Sequence, residues 1–440
     1  MKVQYLPSIQ KRGKFMRYDT AVILKRYFLC ERALVIGQAG WLSGIPYFDI
    51  KMKLPKMMWE DAMTANELRN RVYELRFPSR MLEIGDDQAL VDLIHQSFNA
   101  PNPLAFVMSL SRVFKPVLKQ AYKDYLEMAD VIGDGPTHRF LELAIREKED
   151  QIQTLEKYIL QYLEKEDHQN IGTALQWVKE LQNKLDQIGG IGIENCKGTA
   201  VDLSDKVFSP TEVPKRDNRF IPVRFYWPDI VDESFPYGEG VKLQLRSAIS
   251  HLNEIWAVEN AGFILYEFAE DLGWDFIYDA ARWVYDESRH CTMGYERLKQ
   301  WGFEENELPL GTYIFESCKG KDPVYRLGML FYFESKNIGK KPERVKSFAE
   351  FNDQVSQHDM DFDWADETIH TSYGKRWLSA ILEKRGLNPK DYQKIKDECD
   401  RLVEGVISSV TKEEVQQITH ITENMIKKAE HFAAAYEGKY

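Results

Sequence analysis

The sequence predicts an all-α fold whose C-terminal half is a four-helix bundle, and three observations carry that reading. The stretch Val284–Leu298, VYDESRHCTMGYERL, recurs as Ala365–Leu378, ADETIHTSYGKRWL, and both read Asp-Glu-x-x-His-x-x-x-Gly. In each copy Glu and His are three residues apart, so on a helix Glu287 and His290 share one face, as do Glu367 and His370. Each copy also has a Glu on an apolar helical run at the same distance upstream, since 287 − 254 = 33 and 367 − 334 = 33. Glu…Glu-x-x-His thus occurs twice at equal spacing, as expected of two helical hairpins related by pseudo-twofold symmetry.

Carboxylates and imidazoles on the inward faces of four helices are what a dinuclear metal site in a bundle requires. The candidate ligands are Glu254, Glu287, His290, Glu334, Glu367 and His370. Four carboxylates neutralise two divalent cations. The mixed oxygen and nitrogen set suits iron(II) or manganese(II) better than zinc, so two Fe ions are expected, with Mn or a mixed Fe/Mn pair as variants. Glu259 rivals Glu254: it lies on the more apolar stripe with Leu252, Ile255, Trp256, Phe263 and Tyr266, but its separation from Glu287 of 287 − 259 = 28 breaks the repeat. A lone Glu-x-x-His pair is more often a surface pair than a ligand pair; two pairs with matched partners reverse that weighting.

A metal-bound imidazole donates its second N–H to another group. Asp286 and Asp366, each directly before its Glu, are the candidates, and the expected arrangement is crossed, with Asp286 on His370 and Asp366 on His290. Gly294 and Gly374, four after each His, permit close helix contact or leave room for a substrate channel. Tyr285, Tyr332, Tyr373 and Trp256 read as core packing rather than a radical site. His251 and His358 read as structural or exposed, with orienting a ligand as the alternative for His251, three before Glu254.

Composition sets the outer bounds. The 440 residues suffice for two or three domains, and 44% hydrophobic with 29% charged residues is the balance of a soluble globular protein. A net charge of −11 argues against a general nucleic-acid or membrane-surface binder. The five cysteines Cys30, Cys196, Cys291, Cys318 and Cys399 are odd in number and lack CxxC spacing, which points to reduced thiols in a cytoplasmic protein. The N-terminal residues have no apolar signal-like core, and no run reaches about 18 apolar residues, so no membrane span is expected.

Taken in order, the chain divides into a helical domain over 1–190, an extended linker over 191–240 and the metal bundle with C-terminal helices over 241–440. Residues 1–58 are mixed, with KMKLPKMM read as a basic loop. From about 59 the pattern is helical. The runs from His138 to Leu163 and from Thr173 to Ile188 form a charged hairpin broken near Asp167–Asn170. His138, Glu142, Glu147 and Asp150 invite a reading as a third acidic site or a decayed hairpin of the same kind; a helical packing domain is preferred. Gly189–Gly192 with Gly198 is a glycine-rich junction without the strand–turn–helix context of a nucleotide loop. The segment RFIPVRFYWPDIVDESFPYGEG is aromatic, proline-containing and non-periodic, hence extended. A first metal helix spans about 241–271 and breaks at Leu272-Gly273. A second spans 274–301, a third lies within 312–338, and a fourth ends near Gly386 with a break inside 357–363. Residues 389–406 and 411–437 read as two outer helices.

These motifs resemble the ferritin-like diiron-carboxylate superfamily, and more closely an uncharacterised bacterial ferritin-like family similar to the diiron tRNA hydroxylases. The resemblance rests on FESKNIGKKP, on DETIHTSYGKRWLSAILEKRGLNP, and on the helix SHLNEIWAVE, which has one residue more than that family's His-x-Glu helix; it covers about residues 245–392. It implies a diiron-carboxylate oxidoreductase that activates O₂ to oxidise a small organic substrate, with an electron donor as partner and an oligomer compatible with the fold. A storage or peroxide-scavenging protein of ferritin or rubrerythrin type is the alternative, although ferritins are short single bundles and the CxxC iron sites of rubrerythrins are missing. A non-catalytic scaffold held together by metal is the third reading.

Overall fold

The computed structural model describes residues 3–8, 12–196 and 202–437; Gly198 of the glycine-rich junction lies outside them. Helix makes up 74% of the described residues. The sheet among the described residues is one parallel pair of two-residue strands, β1 (Ile221–Pro222) and β2 (Pro309–Leu310). The fold is therefore all-α. The chain forms two compact units, Met1–Gly37 with Trp59–Phe208, and Gln38–Met58 with Ser209–Tyr440. This division differs from one at 190 and 240: residues 38–58 and the extended segment after 208 belong with the C-terminal helices.

The helices of the N-terminal region are α1 (Arg17–Trp41), α2 (Phe48–Glu74), α3 (Gln88–Ser97), α4 (Pro103–Ser109), α5 (Lys115–Met128), α6 (Gly135–Leu163) and α7 (His168–Gln187). A π-helical turn over Leu110–Phe114 joins α4 to α5. Asn102 caps α4 by accepting from the Ala105 N–H at 2.8 Å, and Asp167 caps α7 by accepting from that of Asn170 at 2.8 Å, at the expected break in the hairpin. The basic loop expected at KMKLPKMM is instead the first half of α2. Its Ile50, Leu54, Met57 and Met58 are buried, Lys51 is buried in ion pairing, and Pro55 is accommodated within the helix.

At the centre of the first unit lies a buried charge cluster. Asp61 on α2 receives Lys115 of α5 at 2.8 Å and Lys148 of α6 at 2.5 Å, while Glu31 of α1 meets Lys148 at 2.7 Å. Lys115 also donates to Gln151 at 2.8 Å, and the Tyr122 hydroxyl to Glu31 at 2.5 Å. Two carboxylates and two ammonium groups sum to zero, the condition for keeping four charges out of water. The third acidic site does not form: among the described residues, none of His138, Glu142, Glu147 and Asp150 joins a group able to hold a metal.

Burial and the nearby Glu60 carboxylate hold half-buried Glu147 up at about 7. A folded value above the unfolded one, about 4.3, means stability present below pH ~4.3 and lost as pH rises through 7. Glu147→Gln is expected to match the parent at pH 4 and to exceed it at pH 8. Solvent screening keeps that gain below about 1 kcal/mol. Urea midpoints at the two pH values check it.

In the second unit the helix expected over 241–271 is interrupted rather than continuous, giving α8 (Val241–Leu252) and α9 (Ile255–Leu272). The cause is Asn253: its amide donates to Ile249 O at 2.9 Å and Pro309 O at 3.1 Å, and its carbonyl accepts from the Gly311 N–H at 2.6 Å. Gly273, at φ +75°, makes the sharp junction to α10 (Trp274–Gln300). Then follow α11 (Tyr313–Ser317), α12 (Val324–Asn337), α13 (Lys341–Glu350), α14 (Gln354–Lys384), α15 (Tyr392–Ile407) and α16 (Lys412–Glu437). The break expected inside 357–363 is missing, because α14 runs unbroken from its Asp353 cap. The acidic residues there face inward and are matched, Asp359 by Arg297 at 3.3 Å and Asp363 by Lys341 at 2.5 Å.

Helix pairs α9–α10, α12–α14, α9–α12 and α10–α14 are in contact, with α8 on α10, α13 on α14, and α15 on α12. Gly294 lets α10 meet α8, since a Cβ there would collide with the Ala248–Leu252 backbone and lie 2.8 Å from His251 Cβ. Gly374 admits Phe331 of α12 against α14, where a Cβ would be 2.7 Å from that of Phe331. Both glycines serve close helix contact.

Candidate metal centre

Four helical segments bring the repeated residues together. Glu254 projects from the α8–α9 break, Glu287 and His290 from α10, Glu334 from α12, and Glu367 and His370 from α14. Ligand atoms of Glu287, Glu334, Glu367 and His370 lie within 4.8 Å of one another, and so do those of Glu254, Glu287 and His290. Glu287 belongs to both groups. Glu367 joins the first and a third group with His290 and Asp363. The two imidazole centroids are 6.0 Å apart. Five of the six side chains are buried, and Glu254 is the partly exposed one at 18%.

The ring orientations are defined. His290 Nδ1 faces Glu254 at 3.3 Å and Glu287 at 3.7 Å, and His370 Nδ1 faces Glu287 at 3.1 Å and Glu334 at 3.9 Å. The opposite nitrogens meet the aspartates in crossed fashion: His290 Nε2 lies 3.2 Å from Asp366, and His370 Nε2 3.4 Å from Asp286. Arg289 bridges both aspartates, at 2.7 Å to Asp286 and 2.9 Å to Asp366, and Arg282 holds Asp286 at 2.7 Å. Trp283 donates its indole N–H to Glu287 at 3.0 Å and stacks on His370.

Four buried atoms in this cluster have no hydrogen-bond partner: Glu254 Oε2, Glu367 Oε2, His290 Nδ1 and His370 Nδ1. Buried polar atoms are rarely left so. All four belong to the candidate ligands, so the donor set fits a cation. The protonation pattern agrees. Burial and the neighbouring charge of Glu287 push Glu367 up to about 8. Burial opposes the charged form of Glu287, yet the His290 and His370 imidazoles beside it bring it down to about 2. His370 rises to about 9 against its burial, through Asp286 and Glu287, and His290 is raised too. Protons thus concentrate where cations would neutralise the carboxylates.

Glu259 does not join the cluster. It is fully buried, with Oε1 bonded at 2.5 Å to both Lys51 and Arg216. Burial brings Lys51 down to about 8 despite that partner. The residue is an internal ion-pair anchor, and the break at Asn253 is what turns Glu254 toward the site instead.

Asp363, Lys341, Arg282, Arg289 and Arg297 complete the surroundings and lie outside the repeated Asp, Glu, His and Gly positions. Asp363 binds Lys341 at 2.5 Å and His251 Nε2 at 3.2 Å, and lies 3.6 Å from His290 Nδ1. Lys341 also reaches Glu367 at 3.2 Å. A signal existed for Asp363, which stands four residues before Glu367 and so shares its helix face. His251 is buried between Asp363 and Arg297, whereas His358 is exposed. Tyr332 points away, its hydroxyl on Asp400 and Lys336, and Trp256 packs on Phe333.

A cavity of about 210 Å³ lies beside the cluster, and Glu254, Glu287, Glu334 and Glu367 are on its wall. No helix among the described residues is long and apolar enough to cross a membrane. No curated protein and no solved structure matches the chain. Residues 198–427 match the family model described as protein of unknown function, DUF455. That segment is just over half of the 440 residues and holds every candidate ligand, so the chain belongs to the DUF455 family.

Proposed function

We propose that the second unit is a ferritin-like four-helix bundle of α9, α10, α12 and α14 holding two iron or manganese ions, and that the centre is an oxidoreductase site. The observation that carries this reading is the convergence of four carboxylates and two Nδ1 atoms into two overlapping groups that share Glu287. Glu334 and His370 would serve one ion, Glu254 and His290 the other, with Glu287 and Glu367 between them. Four carboxylates and two divalent cations cancel in charge, and iron or manganese suits this set. When bound, a reduced iron pair supplies electrons for O₂ activation.

The protein's own side chains have defined tasks. Asp286 and Asp366 accept the outer ring N–H of His370 and His290 and so fix the tautomer that presents Nδ1 to the metal. Arg289 pairs with both aspartates and Arg282 holds Asp286 in place. Lys341 offsets Asp363. Trp283 holds Glu287 in place. The cavity brings a small molecule beside the carboxylates, which favours oxidation of an organic substrate over storage or a purely structural site. O₂ uptake by the iron-loaded chain with a chemical reductant tests the reading. Uptake above that of free iron, lost in Glu334→Ala, is expected; uptake no faster than free iron contradicts it.

Asp286→Asn and Asp366→Asn are expected to fold and to bind metal roughly 10–100-fold more weakly, because an amide holds the imidazole less firmly. Competition with a chromophoric chelator measures the change.

A further inference from the structure

The cavity beside the candidate ligands is lined by Glu254, Glu287, Glu334 and Glu367, and also by Tyr226, Tyr237, Arg246 and Arg344. Arg246 is only 8% exposed. Its Nε bonds both Asp229 oxygens, at 2.9 and 3.1 Å, while its Nη1 is buried without a hydrogen-bond partner. The guanidinium lies over Tyr226 at 5.6 Å and Tyr237 at 4.9 Å, and Arg344 stands over the same Tyr237 ring at 5.1 Å. Two arginines thus share one aromatic ring in the lining of the cavity that also holds the four glutamates, and one of them carries a buried donor without a partner.

We propose that this is a substrate anion subsite: Arg246 and Arg344 hold the carboxylate or phosphate of a small organic acid or phosphate ester, and the rest of that molecule extends toward the metals. The proposal rests on the metal-site reading above for the direction of the substrate. A guanidinium recognises such groups through paired N–H donors, and ring contacts fix its plane beforehand. The four glutamates do not repel the anion once two divalent ions neutralise them.

The metal-loaded full-length chain is titrated calorimetrically with butyrate, inorganic phosphate and the neutral isostere butyramide, and its metal content is measured in the same samples. One of the two anions is expected to bind at least roughly tenfold tighter than butyramide, the worth of a charge-assisted hydrogen bond. Arg246→Met and Arg344→Met should each abolish that preference without changing metal content. Arg344 is half-exposed, so its variant decides the matter if Arg246→Met fails to fold. Butyrate preferred over phosphate assigns an organic acid, and the reverse a phosphate ester. Anions no tighter than butyramide, or binding unchanged in the arginine variants because the anion sits on the metal, overturns the subsite. Two metals without anion binding sinks the subsite alone, whereas anion binding without metal sinks the metal reading alone.

A separate observation concerns the first unit. Lys148 follows Lys115 by 148 − 115 = 33 residues, the separation that links Glu254 to Glu287 and Glu334 to Glu367. Gln151 stands three after Lys148, and buried Thr64 three after Asp61, where the metal unit has His three after Glu. Four helices give one buried charged residue each, Glu31, Asp61, Lys115 and Lys148, with Asp61 following Glu31 by 61 − 31 = 30 residues, and the charges cancel. We infer that this unit carries the same arrangement with two lysine ammonium groups in place of two metal ions. Lys115→Glu and Lys148→Glu, each unfolded in urea with Mn²⁺ and with chelator, test it against Lys148→Met. At least one Glu variant should gain more from Mn²⁺ than the Met control, with additional bound metal. No excess gain in either Glu variant contradicts the correspondence.

Discussion

Glu287→Ala is expected to yield a chain with almost no bound metal, while Glu254→Ala and Glu334→Ala each retain about half. Glu287 lies in both groups of candidate ligands, whereas Glu254 and Glu334 each serve one of the two. Its loss also leaves the Trp283 indole N–H without its carboxylate and exposes His290 and His370 to each other. Metal bound only to the folded state stabilises it by about 2.7 kcal/mol per site at a hundredfold excess over Kd. Glu287→Ala should therefore melt at the temperature of the chelated parent and not respond to added metal. Glu259→Ala should behave oppositely, with full metal content and lowered stability, because it leaves Lys51 and Arg216 buried without their anion. Elemental analysis and thermal melts with and without chelator separate these outcomes.

Lys148→Met is expected to be the most destabilising change to an uncharged side chain in the first unit. Lys148 answers Glu31 at 2.7 Å and Asp61 at 2.5 Å. Methionine leaves two buried carboxylates facing the single charge of Lys115. Breaking a buried charge pair on one side costs about 3–5 kcal/mol, a large part of the roughly 5–15 kcal/mol that holds a domain together. Pairing the change with Asp61→Asn restores neutrality and should recover part of the loss. Urea unfolding of the three chains checks the order.

How far these features were legible in the sequence follows from their physics. The six candidate ligands stand out because a metal cluster demands chemistry and spacing that a packed core does not. Glu254 and Glu259 were not separable by pattern alone. What separates them is a helix break made by Asn253, whose partners Pro309 and Gly311 are remote in sequence. Helix α1 carried no readable period because it is buried on nearly every side. Its mixed appearance is the mark of a central helix. The sequence of α14 shows a gap in its helical pattern because its inward face bears Asp359, Asp363, Asp366 and Glu367 where apolar residues would mark a buried face. The lysine cluster escaped notice for the reverse reason, since a charged run such as Arg146–Asp150 reads as a solvated face while Lys148 points inward.

The central claim is that this chain holds two transition-metal ions, and elemental analysis of the purified, metal-replete protein addresses it most directly. About two iron or manganese ions per chain, falling to nearly none in Glu287→Ala, is the expected result. No transition metal, or a single tetrahedral zinc ion, would contradict it.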